Sequence, residues 1–97
     1  MRRGHKSGRA TLVVYAVIMD SPARRAGVIV SRIVGGAVLR NRTKRRIRAL
    51  LARLLPSLPE GTALVVRALP PAGSAATEIL EAELASATAA ALRKATA

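Results

Sequence analysis

Gly35-Gly36-Ala37-Val38-Leu39-Arg40-Asn41-Arg42-Thr43-Lys44-Arg45-Arg46-Ile47-Arg48 is the stretch around which the rest of the chain has to be arranged. The glycine pair interrupts what precedes it. Beyond it, Leu39, Thr43, Ile47, Leu50, Leu51, Leu54 and Leu55 fall on one arc when each residue is turned by the helical increment. Arg42, Arg45, Arg46, Arg48 and Arg53 spread over the opposite arc. The spacing predicts a helix from about Ala37 to Leu55, stopped by Pro56 and Pro59. One face of that helix seals a core and the other is cationic.

Residues 40–48 hold six basic side chains, five of them arginine, with no acid among them. Like charges one turn apart repel, so such a face costs helix stability unless something outside the chain compensates it. Arginine's planar fork takes a phosphate through two parallel hydrogen bonds, whereas lysine acts as a point charge. The excess is also one-sided. Residues 1–53 carry fourteen basic side chains and one acid, Asp20, while residues 54–97 carry three basic side chains and four acids. The chain's net charge of +12 therefore sits on its first half. A surface of this kind attracts a polyanion, with counterion release supplying much of the affinity.

Working outward, Thr11 to Ile18 is rich in β-branched residues and reads as a strand closed by the turn Asp20-Ser21-Pro22. Gly27 to Arg32 reads as a second strand and is expected to be the antiparallel neighbour of the first. Thr62 to Leu69 reads as a third. Ser74 is a candidate N-cap for a second helix from about Ala75 to Lys94. In that helix Glu78, Glu81 and Glu83 stand early and Arg93 and Lys94 late, as the helix dipole favours. Residues 1–9 are basic and read as an arm or an edge segment. The expected architecture is α+β: a small α/β sandwich with a mixed sheet, a basic crossover helix and a C-terminal helix. A crossover between Gly27–Arg32 and Thr62–Leu69 implies that those two strands are parallel. Neither a repeat nor a boundary divides the sequence, so residues 1–97 are read as one RNA-binding domain.

The composition removes several kinds of chemistry. Without cysteine there is no disulfide or thiolate metal site. His5 is the sole histidine, lies in the basic arm and has no acid near it in sequence. Asp20 and Glu60 fall in turns, and the other acids decorate the last helix. No nucleophile–base pair or carboxylate pair emerges, so catalytic residues are not expected in the chain. The glycine pair lacks the Gly-Lys-Ser/Thr ending of a nucleotide loop. It is either a tight strand-to-helix turn or a place where free amides receive one phosphate. Tyr15 is the one aromatic, which leaves few rings for stacking bases. The apolar runs are too short to span a bilayer and the first residues hold no apolar signal segment, so a cytoplasmic location is expected. An amphipathic basic helix also suits an anionic membrane, but this one has no Trp or Phe anchor.

Residues 25–48 contain Ser-Arg-Ile (31–33), the turn Val-Gly-Gly-Ala-Val (34–38) and the helix Arg-Asn-Arg-Thr-Lys-Arg-Arg (40–46). This block resembles the signature of the bacterial ribonuclease P protein subunit. There, a strand ends in a Ser-Lys-Lys-like triplet and leads through a similar turn into an arginine-rich helix. Fainter similarity runs from about Gly4 to Leu92. The resemblance implies the fold of ribosomal protein S5 domain 2 and a ribonucleoprotein that removes the 5′ leader from precursor tRNA. It also implies that the RNA subunit performs the hydrolysis with magnesium, the protein itself binding no cofactor. The expected partners are ribonuclease P RNA and the precursor tRNA leader, with no membrane and no small-molecule substrate. By the match, Arg32, Arg40, Asn41, Arg42, Lys44, Arg45 and Arg48 are the expected RNA contacts, joined by Arg46 from the same basic run. Tyr15 takes the place of a sheet-face aromatic that touches the leader. Three departures accompany the likeness. Ile33 stands where the triplet has a basic residue, and the aromatics clustered near the family's cleft are reduced to Tyr15. Met1 falls close to the loop after the family's N-terminal helix, which walls one side of the leader cleft, so the start is expected to be miscalled, the chain to be a fragment, or the cleft to be open on one side. Composition alone fits a structural rRNA-binding ribosomal protein nearly as well; the 25–48 block is what separates the two.

Overall fold

The computed structural model describes residues 4–96. Four strands, β1 (His5–Gly8), β2 (Leu12–Ile18), β3 (Arg25–Ile29) and β4 (Thr62–Ala68), form one sheet in the order β1-β2-β4-β3. Helix α1 (Ala37–Leu54) connects β3 to β4, and α2 (Thr77–Thr96) ends the described chain. β2 runs antiparallel to both β1 and β4, whereas β3 and β4 are parallel, as a crossover helix requires.

Period-two alternation places the core on one face of the sheet. Leu12, Val14 and Ala16 of β2 and Leu64, Val66 and Ala68 of β4 are buried together. Against them pack Ile47, Leu50 and Leu51 of α1 and Leu80, Leu84, Ala87 and Ala91 of α2. The core is entirely aliphatic. Thr43, on the buried arc of α1, satisfies its hydroxyl by donating to the Leu39 carbonyl at 2.8 Å. The opposite face of the sheet, carrying Val13, Tyr15, Val17, Ala63 and Val65, is half-buried and has neither helix against it.

Three expectations from the sequence are corrected. The second strand is not the antiparallel neighbour of the first, because β4 lies between them. β4 has apolar residues on both faces and suits the interior of the sheet, whereas β3 offers Arg25, Ala26 and Gly27 and occupies an edge. That strand also spans Arg25–Ile29 rather than 27–32, since Arg32–Val34 fold into a 3₁₀ turn. Its hydrogen bonds, Val34 N–H to the Ser31 carbonyl and Gly35 N–H to that of Arg32, take the chain out of the sheet. Finally, Ser74 does not cap α2. Residues Pro70–Gly73 form their own 3₁₀ turn and Ser74 N–H closes it onto the Pro71 carbonyl, so the Ala76 carbonyl receives the first helical amides, those of Ile79 and Leu80. Of the basic segment expected to be an arm or an edge, His5–Gly8 form the edge strand β1, and residues 1–3 lie outside the described residues.

The β1–β2 connection is pinned to α2 by side chains. One Glu83 oxygen accepts from the Thr11 hydroxyl at 2.7 Å and from the Thr11 amide at 2.9 Å. Arg9 donates to Ser86 Oγ, and Lys94 Nζ to the Lys6 carbonyl. The Thr11 hydroxyl, then its amide, and to a lesser degree the Arg9 charge hold the Glu83 carboxyl below the ordinary glutamate value of 4.5, against the opposing effect of burial. A carboxyl depressed by folding stabilises the fold above its unfolded pKa, and that stabilisation is lost as pH falls through the folded value. Glu83→Gln should therefore lower the thermal midpoint at neutral pH, and the gap from the parent chain should close as pH drops below 4.5. Thermal unfolding followed by circular dichroism checks this; a gap constant with pH would remove the carboxylate from the hairpin anchor.

Candidate nucleic-acid interface

Helix α1 starts where the Gly35–Gly36 turn lets it. Gly35 has φ +154°, and a Cβ there would lie 2.6 Å from Leu39 Cδ2, so a larger residue would displace the leucine that closes this corner. The tight-turn reading of the glycine pair is therefore met by a steric requirement. Gly36 is the N-cap without a side-chain cap, and the first turn of α1 contains no acid. The helix thus begins with uncapped amides and a positive dipole end, immediately followed by arginines.

The basic residues of α1 divide into groups by direction. Arg42, Arg45 and Arg48 are exposed, as is Asn41, and none makes a side-chain hydrogen bond or ion pair within the described residues. Val38, Arg42, Arg45 and Ala49 recur at the spacing of one helical stripe pointing away from the core. Lys44 and Arg40 are half-buried at the flank, and Arg40 Nε is shielded from solvent without an acceptor among the described residues. Arg46 behaves differently. It donates to the Ala75 carbonyl and, at 3.3 Å, to Thr77 Oγ1, tying α1 to the start of α2. One helical repeat of seven later, Arg53 pairs with Glu81 at 3.3 Å in the same direction. Arg46, expected from the sequence to join the outward cationic face, is instead held by its neighbouring helix. Arg32 is exposed in the 3₁₀ turn that delivers the chain to α1.

Tyr15 stands apart from this helix, half-buried on the helix-free face of the sheet. The register puts it between Lys6 of β1 and Val65 of β4, with Gly27 of β3 beyond. The adjacent row holds Val13, Arg67 and Ile29. Lys6 and Arg67 are thus cations on the tyrosine's face that the sequence reading did not single out. The signal was available in the alternation of Ala63, Val65 and Arg67, but it needs the β1–β2 and β2–β4 registers to become a site.

Among the described residues no three His, Cys, Asp or Glu side chains gather as a metal-binding group. A groove of about 230 Å³ between α1 and α2 is lined by Leu50, Arg53, Leu54, Glu81, Leu84 and Ala85, without a nucleophile–base pair. No described helix is long and apolar enough to cross a membrane.

A small α+β domain with an uncompensated arginine stripe on its crossover helix and a cationic, tyrosine-bearing sheet face belongs to the class of nucleic-acid-docking proteins. Comparison with known proteins makes this specific. The Ribonuclease P family model matches residues 1–92, and the chain belongs to the ribonuclease P protein family. It is 47% identical over 87 residues to the ribonuclease P protein component of Nocardioides sp., covering 87% of this chain and 74% of that one. The corresponding protein of Kocuria rhizophila is 44% identical over 94 residues, 97% of this chain and 83% of the relative. In structure it resembles the Staphylococcus aureus RNase P protein with a TM-score of 0.79 at 30% identity, over 93% of this chain and 83% of that one. The ribosomal-protein reading is not favoured by these relatives.

The division of arginines has a direct consequence for stability. Arg46→Ala should cost about 1.5–3 kcal/mol, the range for losing a hydrogen bond from a charged group. Arg42→Ala, on the free stripe, should stay within about 0.5 kcal/mol of the parent. Urea unfolding of the two variants measures both; equal losses would contradict the assignment of Arg46 to the helix–helix contact.

Proposed function

We propose that this chain is the RNA-docking, non-catalytic subunit of its ribonuclease P, assisting removal of the 5′ leader from precursor tRNA. The observation that carries the reading is the exposed stripe of Arg42, Arg45 and Arg48 with Asn41, free of any acidic partner, in a chain of this family. That stripe, with Arg32, Arg40 and Lys44 at its margins, binds phosphates of the RNA subunit. Counterion release supplies the affinity, and bidentate geometry fixes the orientation. Arg46, besides any phosphate contact, holds α1 at its angle to α2.

The hydrolysis belongs to the RNA subunit and the magnesium it holds. The chain's own residues offer positioning: the arginine stripe seats the protein on the RNA, and the sheet face receives the single-stranded leader. On that face Tyr15 supplies the ring, while Lys6 in the same row and Arg67 in the next meet leader phosphates. Such work takes place in the cytoplasm, where precursor tRNA is made.

Three outcomes test this. The protein alone should cleave nothing, yet accelerate cleavage of precursor tRNA by its RNA subunit at low magnesium. Arg42→Ala or Arg45→Ala should weaken binding to that RNA and reduce the log–log salt slope by about 0.7–0.9 per lost phosphate contact. An unchanged slope would show that these side chains are not phosphate contacts. Tyr15→Ala should reduce affinity for precursor tRNA while leaving mature tRNA unaffected, as measured with the reconstituted complex. Equal loss for both substrates would remove Tyr15 from the leader site.

A further inference from the structure

Two of the most water-exposed large aliphatic side chains, Ile33 at 70% and Val38 at 84%, stand on either side of the Gly35–Gly36 turn. Single exposed aliphatics are ordinary on a protein surface. This pair is set apart by its mounting and its neighbours. The turn between them is fixed: Gly35 occupies a positive-φ conformation, and Leu39 packs over both Gly35 and Gly73. Val34, in the same segment, is buried, so the chain anchors itself between two outward-facing residues. Val38 also heads the free arginine stripe, one turn before Arg42 and two before Arg45, with Asn41 beside it. Arg32 adjoins Ile33 in sequence, and neither the 3₁₀ turn nor the first turn of α1 carries an acid.

Two exposed aliphatics carried on one fixed turn, with cations and no acid beside them, are complementary to a nucleic acid that presents phosphates together with an exposed base. Unpaired bases of structured RNA are splayed out and stacked by their faces on side chains of the protein. The usual residues for that task are aromatic, but the chain's one ring, Tyr15, is on the sheet rather than at this helix. We propose that Ile33 and Val38 form an aliphatic platform for the face of an unpaired nucleobase in the ribonuclease P RNA held by the arginine stripe. This rests on the docking role given to that stripe and adds to it a contact whose strength does not depend on salt.

The test is equilibrium binding of the full chain to ribonuclease P RNA transcribed from the same organism, across a salt series. Ile33→Ala, Val38→Ala and the double variant are compared with the parent and with Arg42→Ala. Both side chains are exposed, so thermal midpoints should be retained. The double variant is expected to bind about tenfold more weakly at every salt concentration, the effect of withdrawing a few methyl groups from a buried contact. Its log–log slope should equal the parent's, because no phosphate contact is lost. Val38→Ile should keep the parent's affinity. Chemical probing should show one or a few unpaired bases protected by the parent and reactive with the double variant.

Parental affinity in the double variant, with Arg42→Ala still weakening binding and flattening the slope, overturns the platform and leaves the docking stripe standing. A double variant that loses affinity with a flattened slope also overturns it, because the loss then runs through phosphates. A parent chain whose binding to this RNA is independent of salt overturns the stripe's role and the platform together.

Discussion

Helix α1 has to satisfy two solvents at once. Its Ile47, Leu50 and Leu51 close an aliphatic core against β2, β4 and α2, while six cations between residues 40 and 48 must remain hydrated or find anions. Burying an unpaired guanidinium is far more costly than burying a leucine is favourable, so the helix has one acceptable rotation about its axis. That rotation fixes the direction of Arg42, Arg45 and Arg48. It also leaves Arg46 and Arg53 facing α2, where a backbone carbonyl, a hydroxyl and Glu81 are available to them. The parallel pairing of β3 with β4 follows from the same helix, because its length carries the chain back to the end of the sheet from which β4 must start.

Much of this was legible in the sequence, and the reason is local. The Ala37–Leu54 helix, its proline stop and the sorting of its apolar and basic arcs depend on residues close together in the chain. So does the alternation that defines β2 and β4. What the sequence did not disclose depends on competition among distant segments. β3 lost its expected place beside β2 because β4 is apolar on both faces and takes the interior position. Ser74 has the right side chain for an N-cap, yet the two prolines before it nucleate a separate turn that consumes it. Arg46 reads as one more cation of the run until α2 is seen to bring an acceptor to it. Lys6 and Arg67 become neighbours of Tyr15's row only through strand register.

In the proposed function the two faces of the domain divide the work of binding RNA in physically different ways. The helix stripe relies on charge and on arginine's fork, which give affinity with little demand on base identity. The sheet face has one ring between cations and can take an extended strand. The proposed platform at Ile33 and Val38 adds a contact that salt cannot screen. The absence of acids from the stripe costs the free protein some stability through self-repulsion, which phosphates bound as proposed relieve. Folding and docking are thereby linked, with the core supplying the rigidity that keeps an unpaired cationic face in one orientation.

Directed hydroxyl-radical probing of the assembled ribonucleoprotein tests the central claim most directly, since the chain has no cysteine and accepts a single tethered iron probe wherever one is introduced. Ala49→Cys places the probe on the exposed stripe with Arg42 and Arg45, and Ala89→Cys places it on the exposed side of α2. Strong, localised cleavage of ribonuclease P RNA from position 49, with little from position 89, is the expected result. Comparable cleavage from both positions, or cleavage from position 89 alone, would show that the RNA does not dock on the arginine face of α1.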